Sequence, residues 1–335
     1  MKKNLFLSAL SSQGVSIALA LLIVFGWLRY EHFLGWFNIS TVLRYNSMFA
    51  LVALGMCFVI MTGGIDLSVG ASAALGSVVA ALLSPYGSPD NGTGMLIGGL
   101  GGITAGLVVG LLNAFIIVRL RILPFIATLA TMLAARGAAL ALAQDQSVSV
   151  SYDSGFTSLG QGDVGVFGLA IPIPAVIAAA LYAVGSIILN FTSGGRYVLA
   201  IGGNEDASRL MGLPVNRVKV LAYVATGGLS GLAGVILASQ FGAGQPIEGV
   251  GWELFAIASV VVGGTLLTGG LGSVGATLAG VMLLGLIFNV LNFENGLGYI
   301  SLSAYWQSVI RGFFLLAVVI LQSQLSGRAE RREGG

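Results

Sequence analysis

Groups able to do chemistry are scarce in this chain, and scarcity sorts them quickly. Its 335 residues hold one histidine, His32, and one cysteine, Cys57. A single histidine removes most metal-hydrolase and histidine-base chemistry. Cys57, inside an apolar run, has no partner in the chain for a disulfide or a cysteine metal site. No catalytic residue, metal site or cofactor is therefore predicted. The remaining candidates are isolated polar groups in apolar surroundings. Asp66 follows Thr62-Gly63-Gly64-Ile65 and precedes Leu67-Ser68-Val69-Gly70. A carboxylate there can cap a helix by accepting bonds from its first free amides. A cap at a broken helix can also shape a gate, with Ser68 beside it. Asn113, Arg136, Asn289, Asn292, Gln307 and Arg311 are scattered through other apolar stretches.

The densest charge lies in Ile201–Lys219, IGGNEDASRLMGLPVNRVK, which holds Glu205, Asp206, Arg209, Arg217 and Lys219. Asn204 suits a helix N-cap, Glu205 and Asp206 suit a positive first turn, and Gly212-Leu213-Pro214 can end the helix. A short amphipathic helix between two apolar segments is a handle for something outside the membrane. Two nucleotide signatures fail. Gly270–Gly275 fits GxGxxG but lacks the strand–turn–helix setting and the downstream acid. No GxxxxGK[ST] loop occurs, so any ATP that powers the protein is hydrolysed on another chain.

The elements that must position these groups follow from composition. The chain is 56% hydrophobic and 8% charged, with mean hydropathy +0.95. Soluble domains carry about 25% charged residues, so the solvent is a bilayer. The predicted fold is an all-α polytopic membrane bundle, one transmembrane domain over 1–335, with some discontinuous helices. Its roughly ten spans lie near 15–28, 44–62, 66–84, 95–117, 124–143, 171–189, 218–240, 252–267, 272–292 and 303–323. Met1-Lys2-Lys3 leads into an apolar run without a small-x-small cleavage site, which reads as an uncleaved first span. With both termini cytoplasmic, Lys2, Lys3, Arg119, Arg121, Arg196, Arg209, Arg217, Lys219, Arg328, Arg331 and Arg332 fall inside, and only Arg29 and Arg44 fall in outside loops. That bias obeys the positive-inside rule. The 201–219 loop is then cytoplasmic. The 144–170 loop, with Asp145, Asp153 and Asp163 and no lysine or arginine, is extracytoplasmic and irregular. It is either a docking surface for an outside protein or a plain solvated loop.

Gly98, Gly102, Gly106 and Gly110 recur every fourth residue, continuing to Ala114, and give one helix a smooth face for close backbone approach. Gly227-Gly231 and Gly272-Ala276-Gly280 repeat the device. Val59–Val79 echoes Val260–Val281, each with a glycine-rich break between apolar stretches. Duplicated halves with broken helices are common among transporters.

GGIDLSVG at Gly63–Gly70, AIGGNEDASRLMGL at Ala200–Leu213 and AIASVVVGGTLLTGGLGSVGATLAG at Ala256–Gly280, with similar span spacing, carry a resemblance over nearly the whole chain. The chain resembles the permease subunits of ATP-binding-cassette sugar importers of the ribose/galactose branch. AIASVVVGGTLLTGG followed by LNFENGLG is most similar to the galactofuranose-type permeases. The resemblance implies a bacterial inner-membrane protein that works with ATPase subunits, a second permease chain (the same or related), a periplasmic sugar-binding protein and membrane lipid, and with no nucleic acid. It implies that Asn204–Gly212 is the coupling helix seated in a groove of the ATPase. There Glu205, Asp206 and Arg209 would make polar contacts and Leu210 and Met211 the apolar ones. For a neutral sugar, Asp66, Ser68, Asn113, Asn289 and Gln307 suit a path or gate, and Phe241 and Gln245 join Glu248 in an outer gate. Trp252, Tyr305 and Trp306 read as an aromatic belt at the outer interface. The rivals are an ion-coupled secondary sugar transporter, which needs paired buried acids, and a membrane enzyme, which needs a catalytic cluster.

Overall fold

A computed structural model describes residues 2–84, 93–150, 155–166 and 168–296, together with 306, 309, 310, 312 and 313. Its helices are α1 (Lys2–Arg29), α2 (Trp36–Met61), α3 (Val69–Leu83), α4 (Thr93–Ala114), α5 (Pro124–Ala143), α6 (Ser158–Gln161), α7 (Ile173–Phe191), α8 (Ser193–Gly203), α9 (Glu205–Leu210), α10 (Val215–Phe241), α11 (Trp252–Val262) and α12 (Val274–Gly296). A π-helical turn, Phe115–Arg119, prolongs α4. Among the described residues six helices are long and apolar enough to span a bilayer. They are α2, α4 with its π turn, α5, α7, α10 and α12. The spans predicted at 66–84 and 252–267 are realised as shorter helices, α3 and α11, of 15 and 11 residues. The tenth predicted span, with Tyr305, Gln307 and Arg311, lies outside the described residues apart from a few positions.

The core is built around α2, α3 and α10. From Asn46 to Met61, α2 is buried nearly all round, with Met48, Leu51, Met56 and Ile60 in the main apolar cluster. Such a helix has no lipid face, and its apolar residues show no one-sided stripe. The glycines of α4 do what their spacing implies. A Cβ on Gly106 would strike the Gly227 carbonyl, one on Gly110 would lie 2.5 Å from Tyr223 O, and one on Gly102 2.6 Å from Gly76 O. The α4–α10 crossing is thus backbone against backbone, and dispersion between the two main chains holds it.

Two helix ends explain the internal echo. At the end of α2, Gly63 takes φ +78°, its N–H donates to Ile60 O at 2.8 Å, and Gly64 N–H donates to Val59 O at 3.1 Å. At the end of α11, Gly264 takes φ +87°, its N–H donates to Val261 O at 2.9 Å, and Thr265 N–H donates to Val260 O at 3.2 Å. Both are the same left-handed closure, which glycine enters without a Cβ penalty.

Some expectations need correcting. The described parts of the 144–170 loop are not all irregular. β1 (Val148–Ser149) pairs antiparallel with β4 (Ala243–Gly244), and β2 (Asp163–Val166) forms a hairpin with β3 (Leu169–Pro172). Arg44 lies within α2, not in a loop, and donates to Gly160 O at 2.6 Å and Asp163 Oδ1 at 2.7 Å, tying that loop down. Trp252 is no belt residue. It is 7% exposed, and its ring centroid lies 4.8 Å from that of Phe49, midway along α2. The 242–251 segment therefore dips from the β1–β4 pairing into the middle of the bundle before α11 begins.

Candidate functional site

The charged loop folds as its residues dictate. Asn204 Oδ1 accepts from Ala207 N–H at 2.9 Å and caps α9. Glu205 and Asp206 occupy the first turn, where the helix dipole favours them. Gly212, at φ +78°, closes the other end, with Gly212 N–H donating to Arg209 O at 3.1 Å and Leu213 N–H to Ser208 O at 3.0 Å. Glu205 is the electrostatic hub, paired with Lys219 at the start of α10 and with Arg209 at 3.0 Å. Burial pulls its carboxyl pKa upward, but the bonds and charges of Lys219 and Arg209 outweigh burial and hold it below the ordinary value. Leu210 and Met211 are 90% and 70% exposed. On a six-residue helix fixed by two caps and an ion-pair hub, two bare apolar side chains form a small, rigid tip.

The root of that tip went unnoticed in the sequence. α9 follows directly on α8, whose Gly202 lies against the end of α2 and against the α11–α12 turn. A Cβ on Gly202 would fall on Met61 O and on Gly270 N. Gly270 N–H in turn donates to Met61 O at 3.1 Å. Three main-chain segments thus meet at one point: the end of α2, the α11–α12 turn and the base of α9. The signal was available in the Gly202-Gly203 and Gly269-Gly270 pairs, but nothing local says that they meet.

Asp66, Ser68 and Asn113 come together as a closed cluster. Asp66 is 1% exposed and accepts from Ser68 N–H at 2.9 Å and Ser68 Oγ–H at 2.6 Å. Asn113 Nδ2 reaches both Asp66 oxygens at 3.3 Å and Ser68 Oγ at 2.8 Å, while Thr131 donates to Asn113 Oδ1. The expected cap is therefore displaced: α3 begins at Val69 with Ser68 as its N-cap, and Asp66 organises the turn before it. These side chains bind one another across the α2–α3 break, α4 and α5.

The other predicted path residues are dispersed. Phe241 closes α10 and meets Tyr45 edge-on at 6.3 Å. Arg136 donates to Pro246 O at 2.7 Å and to Glu248 O, pinning the dipping segment through its backbone. Gln245 N–H donates to Ser77 Oγ at 3.0 Å. Asn289 exchanges hydrogen bonds with Asn38, at 2.8 and 3.2 Å, and lines a cavity of about 780 Å³ together with Asn46, Asn292, Trp252 and Glu248. Gln307 lies outside the described residues. No group of three or more metal-ligating side chains occurs among the described residues.

Residues 38–319 match the family described as "Branched-chain amino acid transport system / permease component". The chain is 37% identical over 334 residues to the ribose import permease protein RbsC of Bacillus subtilis, covering 97% of each. It is 37% identical over 307 residues to the L-arabinose transport system permease protein AraH of Escherichia coli, covering 92% of this chain and 89% of the relative. It is 35% identical over 283 residues to the L-arabinose ABC transporter permease protein AraH of Azospirillum brasilense, covering 84% and 79%. No solved structure matches the chain. The chain belongs to this family of transport-system permease components: it is an ABC-type permease related to the ribose and arabinose import permeases, a multi-pass protein of the bacterial inner membrane and not an enzyme.

Proposed function

We propose that this chain is the membrane-spanning subunit through which an ABC importer carries a monosaccharide inward. A pentose is favoured by the ribose and arabinose permeases it resembles. A hexose in furanose form, galactofuranose, is the narrower alternative, carried by AIASVVVGGTLLTGG and LNFENGLG. ATP is bound and hydrolysed by two separate subunits, a periplasmic binding protein delivers the sugar to the 144–170 face, and a second permease chain completes the path. In this reading both termini and the 201–219 loop are cytoplasmic.

The single observation that carries the reading is the tip of α9, where Leu210 and Met211 stand bare on a doubly capped helix rooted against two helix breaks. Seated in a groove of an ATPase, that tip would move as the ATPase closes. Gly202 would pass the motion to Met61 and Gly270, and so to the end of α2 and the α11–α12 turn. A two-state rearrangement driven by differential binding of nucleotide follows. The Asp66 carboxylate, already occupied by Ser68 and Asn113, serves in this reading to fix one break and not to carry a coupling ion.

The test is Arg209→Glu or Met211→Asp in the assembled transporter. Both variants should insert and assemble with the partner permease, since neither change touches a span, and should lose at least nine-tenths of ATP-driven uptake. Normal uptake by both would overturn the role given to α9.

A further inference from the structure

The cavity between α2, the dipping segment and α12 carries an assignment of its own. Its volume, about 780 Å³, lies within the range of about 300–1,000 Å³ usual for small-molecule sites. One wall is irregular backbone at mid-bundle depth, where Gly249 and Gly251 take φ +79° and +82°. Gly249 lies directly on the backbone of Gly70, the second residue of α3. Non-helical backbone at membrane depth is tolerated where it is buried in protein or lines a water-filled cavity. Here it does both: Arg136 holds the Pro246 and Glu248 carbonyls on one side, and Glu248, Val250 and Gly251 face the cavity on the other.

The lining chemistry is mixed in a specific way. Tyr45 and Trp252 supply aromatic surface, Asn46 and Asn289 supply amides, and Glu248 supplies a carboxylate. Asn289 is oriented by its two hydrogen bonds with Asn38, which leave one of its N–H donors and one lone pair for another partner. Arg136 bonds to the Glu248 backbone and not to its carboxylate, and that side chain belongs to an exposed residue. Among the described residues that line the cavity there is no lysine or arginine.

We propose that this cavity is a binding station for a neutral sugar on the transport path, with Glu248 accepting from sugar hydroxyls, Asn289 bonding a further hydroxyl and the rings of Tyr45 and Trp252 covering C–H faces. The Glu248 carboxylate in the lining works against a sugar phosphate, since like charges brought together repel. The station rests on the importer reading, since only transport brings sugar to mid-membrane depth.

The assembled transporter, reconstituted with its ATPase and binding protein, tests it through cysteine protection. Glu248→Cys and, on the opposite wall, Tyr45→Cys are labelled with a polar maleimide, against a low background because the one native cysteine, Cys57, is buried. Whichever of D-ribose and L-arabinose the wild type takes up should slow labelling at both positions at least fivefold, and ribose 5-phosphate should not. Uptake by the wild type with unprotected cysteines at both positions would overturn the station and leave the importer reading standing. Protection by ribose 5-phosphate equal to that by the transported sugar would overturn the selectivity for neutral sugars. Absence of ATP-driven uptake of either pentose by the wild type would overturn the pentose reading, and with it the station as a pentose site.

Discussion

The tip of α9 and the junction at its root are neighbours in sequence built from opposite materials. The tip is side chain: Leu210 and Met211 exposed, Glu205 held by Lys219 and Arg209, caps at both ends. The root is main chain: Gly202 against Met61 O and Gly270 N, with no room for a single added carbon. A side-chain surface can be gripped and released by another protein, whereas a main-chain junction moves as one body. A lever needs both, a surface that a partner can hold and a fulcrum that does not slip.

The difference can be broken from the root upward. Gly202→Val should have the largest effect. Its side chain must displace the end of α2 or the α11–α12 turn, so uptake should be abolished even where the chain still inserts; uptake above one-tenth of wild type would show that the three segments are not locked together. Gly106→Leu removes backbone contact elsewhere, in the α4–α10 crossing, and should cost about 1–3 kcal/mol through overpacking. Unchanged thermal stability in detergent would mean that the two backbones do not meet. At the cap of α9 the effects on stability shrink. Asn204→Ala should weaken the α9 cap by about 1 kcal/mol, seen as faster hydrogen exchange over 205–210 with global stability unchanged; unaltered exchange would remove Asn204 from the cap. The smallest effect concerns acid. Because Glu205 titrates below its ordinary value, its contribution is present at neutral pH and is lost as pH falls through that depressed value. Glu205→Gln should flatten this local acid dependence of exchange in 205–219, and an unchanged pH profile would show that Lys219 and Arg209 do not hold the carboxylate.

The tip was legible in the sequence because everything that shapes it is local. Asn204, the two acids, Gly212 and Pro214 lie within one short stretch, and each acts on its immediate backbone. The glycine faces of α4 were legible for the same reason, since their four-residue period is a helix property. The root and the dipping segment were not. Gly242–Gly251, rich in glycine and carrying Pro246 and Glu248, has the composition of a surface loop, and only Arg136 contradicts that. A guanidinium inside a span needs partners, and with no acid a turn away its partners had to be carbonyls brought from elsewhere. Trp252 was misplaced for a related reason: an aromatic next to a glycine-rich turn looks like an interface anchor until the turn itself proves to lie in the core. Asp66 was legible as a structural carboxylate, but its link to Asn113 spans 47 residues of sequence and could not be read from spacing.

This chain should move sugar only when an ATPase pulls on α9. That dependence is tested most directly in liposomes, with D-ribose and L-arabinose as substrates. The chain alone, under either a proton or a sodium gradient, should accumulate neither sugar. Adding the cognate ATPase, any partner permease and the binding protein should produce uptake that requires ATP. Accumulation by the lone chain under an ion gradient would contradict the ATPase-driven reading, and it would move Asp66 from the turn before α3 to the centre of an ion-coupled mechanism.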